Sequence, residues 1–201
     1  MKRLLGLGMY LLMSLSLAFA ESKIRGEYEV LGQAPKPHSL EKVLFEEFMN
    51  FGCPHCNHFF ELSKEMKAKY KGKVEFVDMP VLFQGQEDHP LRLYYVAKSV
   101  GKEELVKEEL FKSKFKYGVN NFDPGIVNYL AKTLGLGELY QKEGQRDWVN
   151  KAIKDVEQKS KQYSISSTPT IVLASSLKMG PGKSMETFVE TLPQTLDDLL
   201  K

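Results

Sequence analysis

Residues 43–56 read VLFEEFMNFGCPHC, and this stretch decides the fold. The strongly apolar run up to Phe51 predicts a buried central β-strand, which the following glycine ends. Pro54 stands where a helix can begin, because its fixed φ and missing N–H cost nothing at the first helical position. Cys53 and Cys56 are therefore expected at the junction between a central strand and a helix.

Cys53 and Cys56 are the two cysteines of the whole sequence. Residues three apart on a helix lie on one face, about 5–6 Å apart at Cβ, which is near the span of a disulfide. A disulfide that closes so small a loop does little for stability, so the spacing favours a redox pair over a structural cross-link. The free N–H groups of a first helical turn favour a thiolate. Cys53 is therefore predicted to be the accessible nucleophile of low pKa, and Cys56 the buried resolving thiol.

The two residues between the cysteines are expected to tune the pair. His55 can stabilise the Cys53 thiolate by charge or by a hydrogen bond, and a stabilised thiolate makes the disulfide a stronger oxidant. Thiolate pKa values in such motifs range from about 7 down to about 3.5. The Pro54-His55 dipeptide predicts a Cys53 pKa in the lower half of that range.

Two other uses of such a motif fit less well. Haem attachment needs a histidine directly after the second cysteine, and Asn57 stands there. A zinc site could recruit both cysteines, His58 and a distant histidine, but structural zinc sites carry a second clustered pair of ligands. His38 and His89 are isolated in the sequence. We therefore expect no metal site and no cofactor.

The N-terminus resembles a secretory signal peptide. Lys2 and Arg3 supply a positive start, an almost wholly apolar run follows, and Ala20 ends a small-residue cleavage motif. We expect a signal peptide over residues 1–20 and an exported chain over residues 21–201, in a compartment where disulfides persist. The alternative is an uncleaved membrane anchor, for which the apolar run is short against the usual span of about 20 residues.

Charge and length limit the function further. The sequence has 201 residues, with 28 Lys and Arg against 26 Asp and Glu. Because Lys2 and Arg3 belong to the predicted signal peptide, the exported chain would be formally neutral, with 26 of each sign. Nucleic-acid recognition needs a basic surface, so no nucleic-acid partner is expected. The length suits one domain, or one domain with an insertion.

The rest of the chain carries strand and helix signals on either side of a helical block. Besides the strand at 43–51, we expect strands at 27–31, 74–81 and 170–175, and a helix over about 54–72. An amphipathic segment closes the chain. Pro193 either kinks this segment or marks the start of its last helix.

Residues 88–163 carry helical signals alone. Four helices are expected there, at 88–101, 103–117, 123–135 and 147–163. Their predicted apolar faces include Leu105 and Phe115 in the second helix and Trp148 in the fourth.

The sequence resembles the thioredoxin-fold family, and specifically its DsbA-like periplasmic thiol oxidases. Three features carry the resemblance: the run FMNFGCPHC at 48–56, the run STPTI at 167–171, and the helical block between the third strand and that second run. The resemblance implies an α/β thioredoxin fold, with a central mixed sheet, flanking helices and an inserted helical subdomain. The core would span about 27–87 and 164–201, and the insertion about 88–163.

The resemblance also assigns roles outside the cysteine motif. Pro169 would follow a cis peptide bond and pack against the cysteines, and the backbone of Thr168 would offer an edge to a substrate peptide. The alternative is an ordinary proline at the entry to a strand. Glu47 matches a buried acid that helps to move protons to and from Cys56. Glu46 would point to the opposite face of the sheet, so only one of the two can serve.

Two departures from the family pattern bear on the direction of electron flow. The prototype pairs its buried acid with a lysine on the next strand, where this sequence has Asp78, so the ion pair is either missing or rebuilt. Thr168 before the proline is more like disulfide isomerases and many DsbA relatives than like the prototype, which has valine.

The resemblance implies a dithiol oxidase that donates a Cys53–Cys56 disulfide to cysteine-containing exported proteins. A DsbB-like membrane partner would reoxidise it, and a monomer is expected. The first alternative is a periplasmic reductase or isomerase, for example in cytochrome c maturation. Isomerases of this kind dimerise through an extra N-terminal domain, for which the roughly 20 residues between the predicted cleavage site and the core strand leave no room. This favours an oxidase over an isomerase, but not over a reductase. The second alternative is a binding or chaperone module with a vestigial thiol pair, which the intact Pro54-His55 dipeptide argues against.

Overall fold

The computed structural model describes residues 23–182 and 184–201. The predicted signal peptide, residues 1–20, lies outside the described residues. In the part of the chain described, the strands are β1 (Glu29–Val30), β2 (Val43–Met49), β3 (Val74–Pro80), β4 (Thr170–Leu173) and β5 (Leu177–Met179). The helices are α1 (Pro54–Lys69), α2 (His89–Lys98), α3 (Glu103–Phe115), α4 (Pro124–Thr133), α5 (Gly137–Glu143), α6 (Asp147–Gln162) and α7 (Met185–Leu199).

The five strands form one mixed sheet in the order β1-β5-β4-β2-β3. Strand β2 pairs in parallel with β3, through the crossover helix α1, and antiparallel with β4. In this register Glu47 lies opposite Asp78, and Phe48 lies opposite Thr170 at the start of β4. The predicted α/β thioredoxin fold, with its central mixed sheet and flanking helices, is confirmed.

Two clusters of buried apolar side chains form the core. Phe45 belongs to the cluster that α7 helps to cover, and Phe48 to the cluster shared with helices α2–α6. Residues of opposite parity on a strand face opposite sides, which explains why β2 contributes to both clusters. Cys56 lies in the second cluster and is fully buried. The helices between β3 and β4 therefore pack directly on the end of the sheet that carries the cysteines.

Some expected elements differ from those observed. Helix α5 and strand β5 were not predicted, because a seven-residue helix between glycines and a three-residue strand carry too little periodicity. Strand β5 exists through its pairing with β1 and β4, which is a long-range property. Strand β1 is also shorter than the expected 27–31.

Three side chains assigned to buried helix faces are exposed. Leu105 is 45% exposed, Phe115 37% and Trp148 39%. Helix α3 turns a neighbouring face inward, and that face buries Lys107 completely. Trp148 lies in the first turn of α6, where its indole N–H donates to Glu143 Oε2 at 3.1 Å. Leu110, Phe111 and Val156 of the same predicted apolar faces are buried, so the prediction was wrong only at the edges of these faces, because helical spacing does not fix how far a helix is rotated about its axis.

Pro193 lies inside the continuous helix α7. The interpretation in which it starts the last helix is therefore wrong. The C-terminal apolar residues do pack as expected, since Phe188, Leu192, Leu196 and Leu199 are all buried. Within residues 23–182 and 184–201, no helix is both long enough and apolar enough to cross a bilayer.

Candidate active site

The two cysteines lie where the sequence predicts, at the start of α1. Cys53 is the N-cap residue with an extended backbone, and Pro54 is the first helical residue. The Asn57 N–H donates to the Cys53 carbonyl at 3.1 Å, which closes the first turn of the helix. Both cysteines are free thiols, Cys53 half-buried and Cys56 fully buried. The Cys53 side chain is therefore accessible to solvent, and the Cys56 side chain is not.

The surroundings of Cys53 lower the pKa of its thiol to about 5. The main cause is a hydrogen bond from Cys56, against which burial acts in the opposite direction. The Thr168 side chain and the backbone N–H groups of Cys56 and His55 lower the pKa further. At neutral pH Cys53 is therefore a thiolate, in agreement with the low value predicted from its place at a helix N-terminus.

Cys56 shows the opposite behaviour. Burial raises the pKa of its thiol, and the sulfur and charge of Cys53 raise it further. The backbone N–H of Asn50 lies 3.5 Å from the Cys56 sulfur and acts in the other direction. The pair therefore holds one proton, on Cys56, and one negative charge, on Cys53. These protonation states suit Cys53 as the nucleophile and Cys56 as the resolving thiol.

Pro54 and His55 are exposed at the tip of α1. The backbone N–H of His55 is among the groups that lower the Cys53 pKa. Within the described residues, the imidazole makes no hydrogen bond to the sulfur. The part predicted for the His55 side chain in stabilising the thiolate therefore stays a prediction.

The loop before β4 brings Thr168 and Pro169 to the cysteines. The peptide bond between them is cis, as the family resemblance implies. The Cys53 sulfur lies 3.2 Å from the Thr168 carbonyl oxygen, to which the protonated thiol can donate, although the two residues are 115 positions apart. Thr168 is 9% exposed, and Pro169 is buried.

Glu46 and Glu47 are both buried, and each has its own lysine. Glu46 contacts Lys159 of α6, and its other oxygen accepts from the Tyr163 hydroxyl at 3.3 Å. Glu47 Oε2 lies 3.2 Å from the Nζ of Lys107, on α3. The different partners agree with the prediction that the two carboxylates point to opposite faces.

Lys107 supplies the cation for the buried acid Glu47, in place of the lysine that the prototype carries at the position of Asp78. Its ammonium group is fully buried and lies 3.1 Å from Asp78 Oδ1 as well as 3.2 Å from Glu47. Asp78 also accepts from the Tyr94 hydroxyl at 3.2 Å and lies 3.7 Å from the Nζ of Lys67. The lysine thus comes from a helix of the block 88–163, not from the sheet. The burial of Lys107 could have been predicted from the sequence. It precedes Leu110 by three residues and Phe111 by four, so it lies on the same buried face of the helix.

The cluster distributes its charges unequally. Burial raises the pKa of Glu47, and the charge of Asp78 raises it further against the opposing effect of Lys107. Burial would also raise the pKa of Asp78, but the charges of Lys107 and Lys67 outweigh it and hold that pKa low. Within the described residues, Glu47 Oε1 is buried without a hydrogen-bond partner. Glu47 is therefore the carboxyl group of the cluster that most readily takes up a proton.

The histidines do not gather around the cysteines. His58 is exposed on α1, the His38 ring contacts the Leu200 carbonyl at 3.0 Å, and His89 begins α2. Across residues 23–182 and 184–201, no group of three or more His, Cys, Asp and Glu side chains is arranged to hold a metal ion.

Comparison with known proteins places the chain in a family. The sequence model of the family described as Thioredoxin matches residues 39–192. The chain is 27% identical over 185 residues to the thiol:disulfide interchange protein DsbA of Burkholderia cepacia, a match that covers 87% of this chain and 82% of that protein. It is 26% identical over 202 residues to the protein of the same name from Haemophilus influenzae, covering 98% of this chain and 96% of that protein.

Solved structures agree at the level of the fold. The crystal structure of Pseudomonas aeruginosa DsbA superposes with a TM-score of 0.71 at 20% identity, covering 85% of this chain and 91% of that one. The DsbA oxidoreductase from Xylella fastidiosa gives a TM-score of 0.69 at 20% identity, covering 78% of this chain and 85% of that one.

Proposed function

Since this chain belongs to the thioredoxin family and is a DsbA-like thiol–disulfide oxidoreductase, we propose that it works as a dithiol oxidase. It donates the Cys53–Cys56 disulfide to substrate proteins. One observation carries the proposal: the Cys53 pKa is lowered to about 5 while burial raises that of Cys56. A thiolate so well stabilised favours the reduced protein, so the disulfide form gives up its oxidising equivalents readily.

The transfer proceeds through a mixed disulfide. A substrate thiolate attacks Cys53 Sγ, the Cys53–Cys56 bond breaks, and Cys56 leaves with the electron pair and takes up a proton. A second substrate thiolate then attacks the substrate sulfur of the mixed disulfide and releases Cys53 as a thiolate. Two electrons pass from the substrate dithiol to the protein disulfide, and the substrate gains one disulfide bond.

The low pKa of Cys53 assists the second step in particular. A thiol of lower pKa leaves faster, so release of Cys53 from the mixed disulfide is favoured. The loop at Thr168 and Pro169 lies against Cys53, and we assign it to substrate binding through the backbone of Thr168. The 3.2 Å contact between the Thr168 carbonyl oxygen and the Cys53 sulfur supports this assignment.

Glu47 is the proton donor and acceptor for Cys56 in this scheme. Its raised pKa and its partnerless oxygen Oε1 fit a carboxyl group that changes its protonation state. The Nζ of Lys107, which contacts Glu47, also lies 5.4 Å from the centre of the Phe60 ring, one helical turn beyond Cys56. The cluster therefore packs against α1, the helix that carries Cys56, and we assign the proton exchange to Glu47 on this ground.

We place this activity in the periplasm, on a chain exported by the segment 1–20 and divided into a core and the insertion 88–163. The substrates are cysteine-containing exported proteins, and a DsbB-like membrane protein restores the disulfide. The chain acts as a monomer. The relatives named thiol:disulfide interchange protein DsbA support this assignment.

A second candidate function is a periplasmic reductase or isomerase. It is favoured by Thr168, because a threonine before the cis-proline resembles the disulfide isomerases. The Thr168 side chain, however, lowers the pKa of Cys53, and this acts toward a more oxidising pair. The same residue therefore weakens the argument for the second candidate.

The reduction potential of the purified protein tests the proposal. Equilibration with glutathione should give a value close to that of strong oxidants, about −120 mV, and a value near about −270 mV would identify a reductase instead. A Cys53→Ala variant should lose both dithiol oxidation and insulin reduction, and full activity in that variant would refute the scheme.

A further inference from the structure

Asn50 contacts both cysteines through its backbone. It follows the last residue of β2, and its side chain is only 1% exposed. Its N–H group points at the Cys56 sulfur across 3.5 Å, and its carbonyl oxygen accepts from the Cys53 N–H at 3.0 Å. Any shift of Asn50 would therefore displace the hydrogen-bond partners of both cysteines at once.

The Asn50 side chain is held by four hydrogen bonds. Its Nδ2 donates to the Val81 carbonyl at 2.8 Å and to Gln86 Oε1 at 2.7 Å. Its Oδ1 accepts from the Gly52 N–H at 2.8 Å and from Gln86 Nε2 at 3.3 Å. All the donors and acceptors of the amide are thus engaged, two of the four by Gln86.

Gln86 belongs to the loop that joins β3 to α2. Besides its two bonds to Asn50, its Oε1 accepts from the Phe83 N–H at 2.8 Å. The neighbouring turn fits closely around this pair of amides. A Cβ added at Gly52 would lie 3.2 Å from Asn50 Oδ1, 3.4 Å from Gln86 Nε2 and 3.0 Å from the Phe122 ring. The amide pair therefore fixes the turn between β2 and α1 against a segment 36 residues later in the chain.

We propose that Gln86 is a positioning residue for the thiol pair, which holds Asn50 so that its N–H group fixes the sulfur of Cys56 opposite Cys53. The inference rests on the redox activity of the pair and holds for either direction of electron flow. Gln86 itself touches neither sulfur, and it acts through Asn50.

Gln86 acts on the two cysteines in three steps. The Asn50 N–H orients the Cys56 sulfur by donating to it. The Cys56 thiol can then donate to Cys53, and this bond is the largest contribution to the stability of the Cys53 thiolate. Without Gln86 the Asn50 amide loses two of its four bonds, the turn becomes looser, and the thiolate is less well stabilised. The reduced protein then becomes less stable relative to the disulfide form.

Gln86→Ala and Gln86→Met test the proposal, with Gln84→Ala as the matched control. Gln84 is an exposed glutamine of the same loop. The methionine variant keeps the length of the side chain and removes only the hydrogen bonds. The two quantities to measure are the Cys53 pKa, from the ultraviolet absorbance of the thiolate, and the equilibrium constant with glutathione. Thermal unfolding of each variant serves as a third readout.

Both Gln86 variants should show a higher Cys53 pKa and an equilibrium constant at least about threefold less oxidising than the unmodified protein. Gln84→Ala should match the unmodified protein in both. If the Gln86 variants lose thermal stability but keep the pKa and the equilibrium constant, the residue is only structural and the proposal fails. A reductase-like potential in the unmodified protein would instead contradict the oxidase assignment and leave the role of Gln86 to be decided by the variants.

Discussion

Cys53 and Cys56 have the same side chain, yet the protein shifts their thiol pKa values in opposite directions. Cys53 accepts hydrogen bonds from the Cys56 thiol and from backbone N–H groups, while burial dominates at Cys56. The stabilisation of the Cys53 thiolate therefore depends on the proton held by Cys56. The pair acts as a unit, and a substitution at either position should alter the remaining sulfur.

Replacing Cys56 should show this dependence directly. Cys56→Ala removes the largest contribution to the low Cys53 pKa, so that pKa should rise from about 5 toward its ordinary value. Cys56→Ser retains a hydroxyl donor and should give a smaller rise. Titration of the thiolate by ultraviolet absorbance measures both variants. A Cys53 pKa still near 5 in the alanine variant would mean that Thr168 and the N–H groups at the helix N-terminus stabilise the thiolate without the Cys56 thiol.

The residues of this site differ in how far the sequence predicts them. Cys53 and Cys56 could be assigned from spacing and from their place at a helix start, because both arguments are local. The contribution of Asn50 could not, since it depends on a contact with Gln86 that only the folded chain creates. The predicted charge effect of the His55 side chain remains untested, although its backbone N–H does act on Cys53.

At the scale of elements, helix α3 supplies the charge that the sheet lacks. Lys107 extends from α3 to carboxylates on β2 and β3, and it is fully buried between them. The family resemblance implies a lysine on the neighbouring strand, where Asp78 stands instead. The lysine could have been found from the buried face of α3, but its partners could not, because their choice depends on how α3 packs on the sheet.

Lys107→Met should lower the free energy of unfolding by about 3–5 kcal/mol, since it leaves Glu47 without its ion-pair partner and Asp78 with the more distant Lys67 alone. Adding Asp78→Asn should recover part of the loss by removing one of those charges. Urea unfolding monitored by circular dichroism measures both. Lys114→Met, on the same helix at a half-exposed position, should change the value by no more than about 0.5 kcal/mol. An equally small effect at Lys107 would show that the cluster is neutralised in another way.

The whole molecule assembles the site from three distant segments. These are the end of β2 with the start of α1, the loop after β3, and the loop before β4. The register of the sheet brings them together, because Phe48 lies opposite Thr170 and the Val81 N–H bonds to the Met49 carbonyl at 2.8 Å. Strand signals predicted the main strands, but register and strand order depend on long-range pairing.

The stability of the reduced protein should depend on pH through Cys53. Its pKa is about 5 in the folded state, against about 8.5 for an ordinary thiol in the unfolded chain. Between these values the unfolded state binds one more proton, so stability rises with pH. The contribution is complete above about pH 8.5 and is lost as the pH falls through 5.

Urea midpoints of the reduced protein over this pH range, compared with those of Cys53→Ser, measure that contribution. Serine does not titrate here, so the difference between the two curves isolates the thiol. The difference should grow with increasing pH. Parallel curves would mean that the folded and unfolded proteins hold the Cys53 proton equally well.

The attachment of Lys107 to α3 limits how this protein can be shortened. An engineer who deletes residues 88–163 to obtain a minimal thioredoxin removes the counter-ion of Glu47 and Asp78 along with the helices. The remaining sheet would then carry Glu47 without its cation and Asp78 with only the more distant Lys67. A workable miniature must therefore redesign β2 and β3 at these two positions, with a neutral or apolar pair, before the helices can be removed. In this chain the inserted helices and the sheet can only be engineered together.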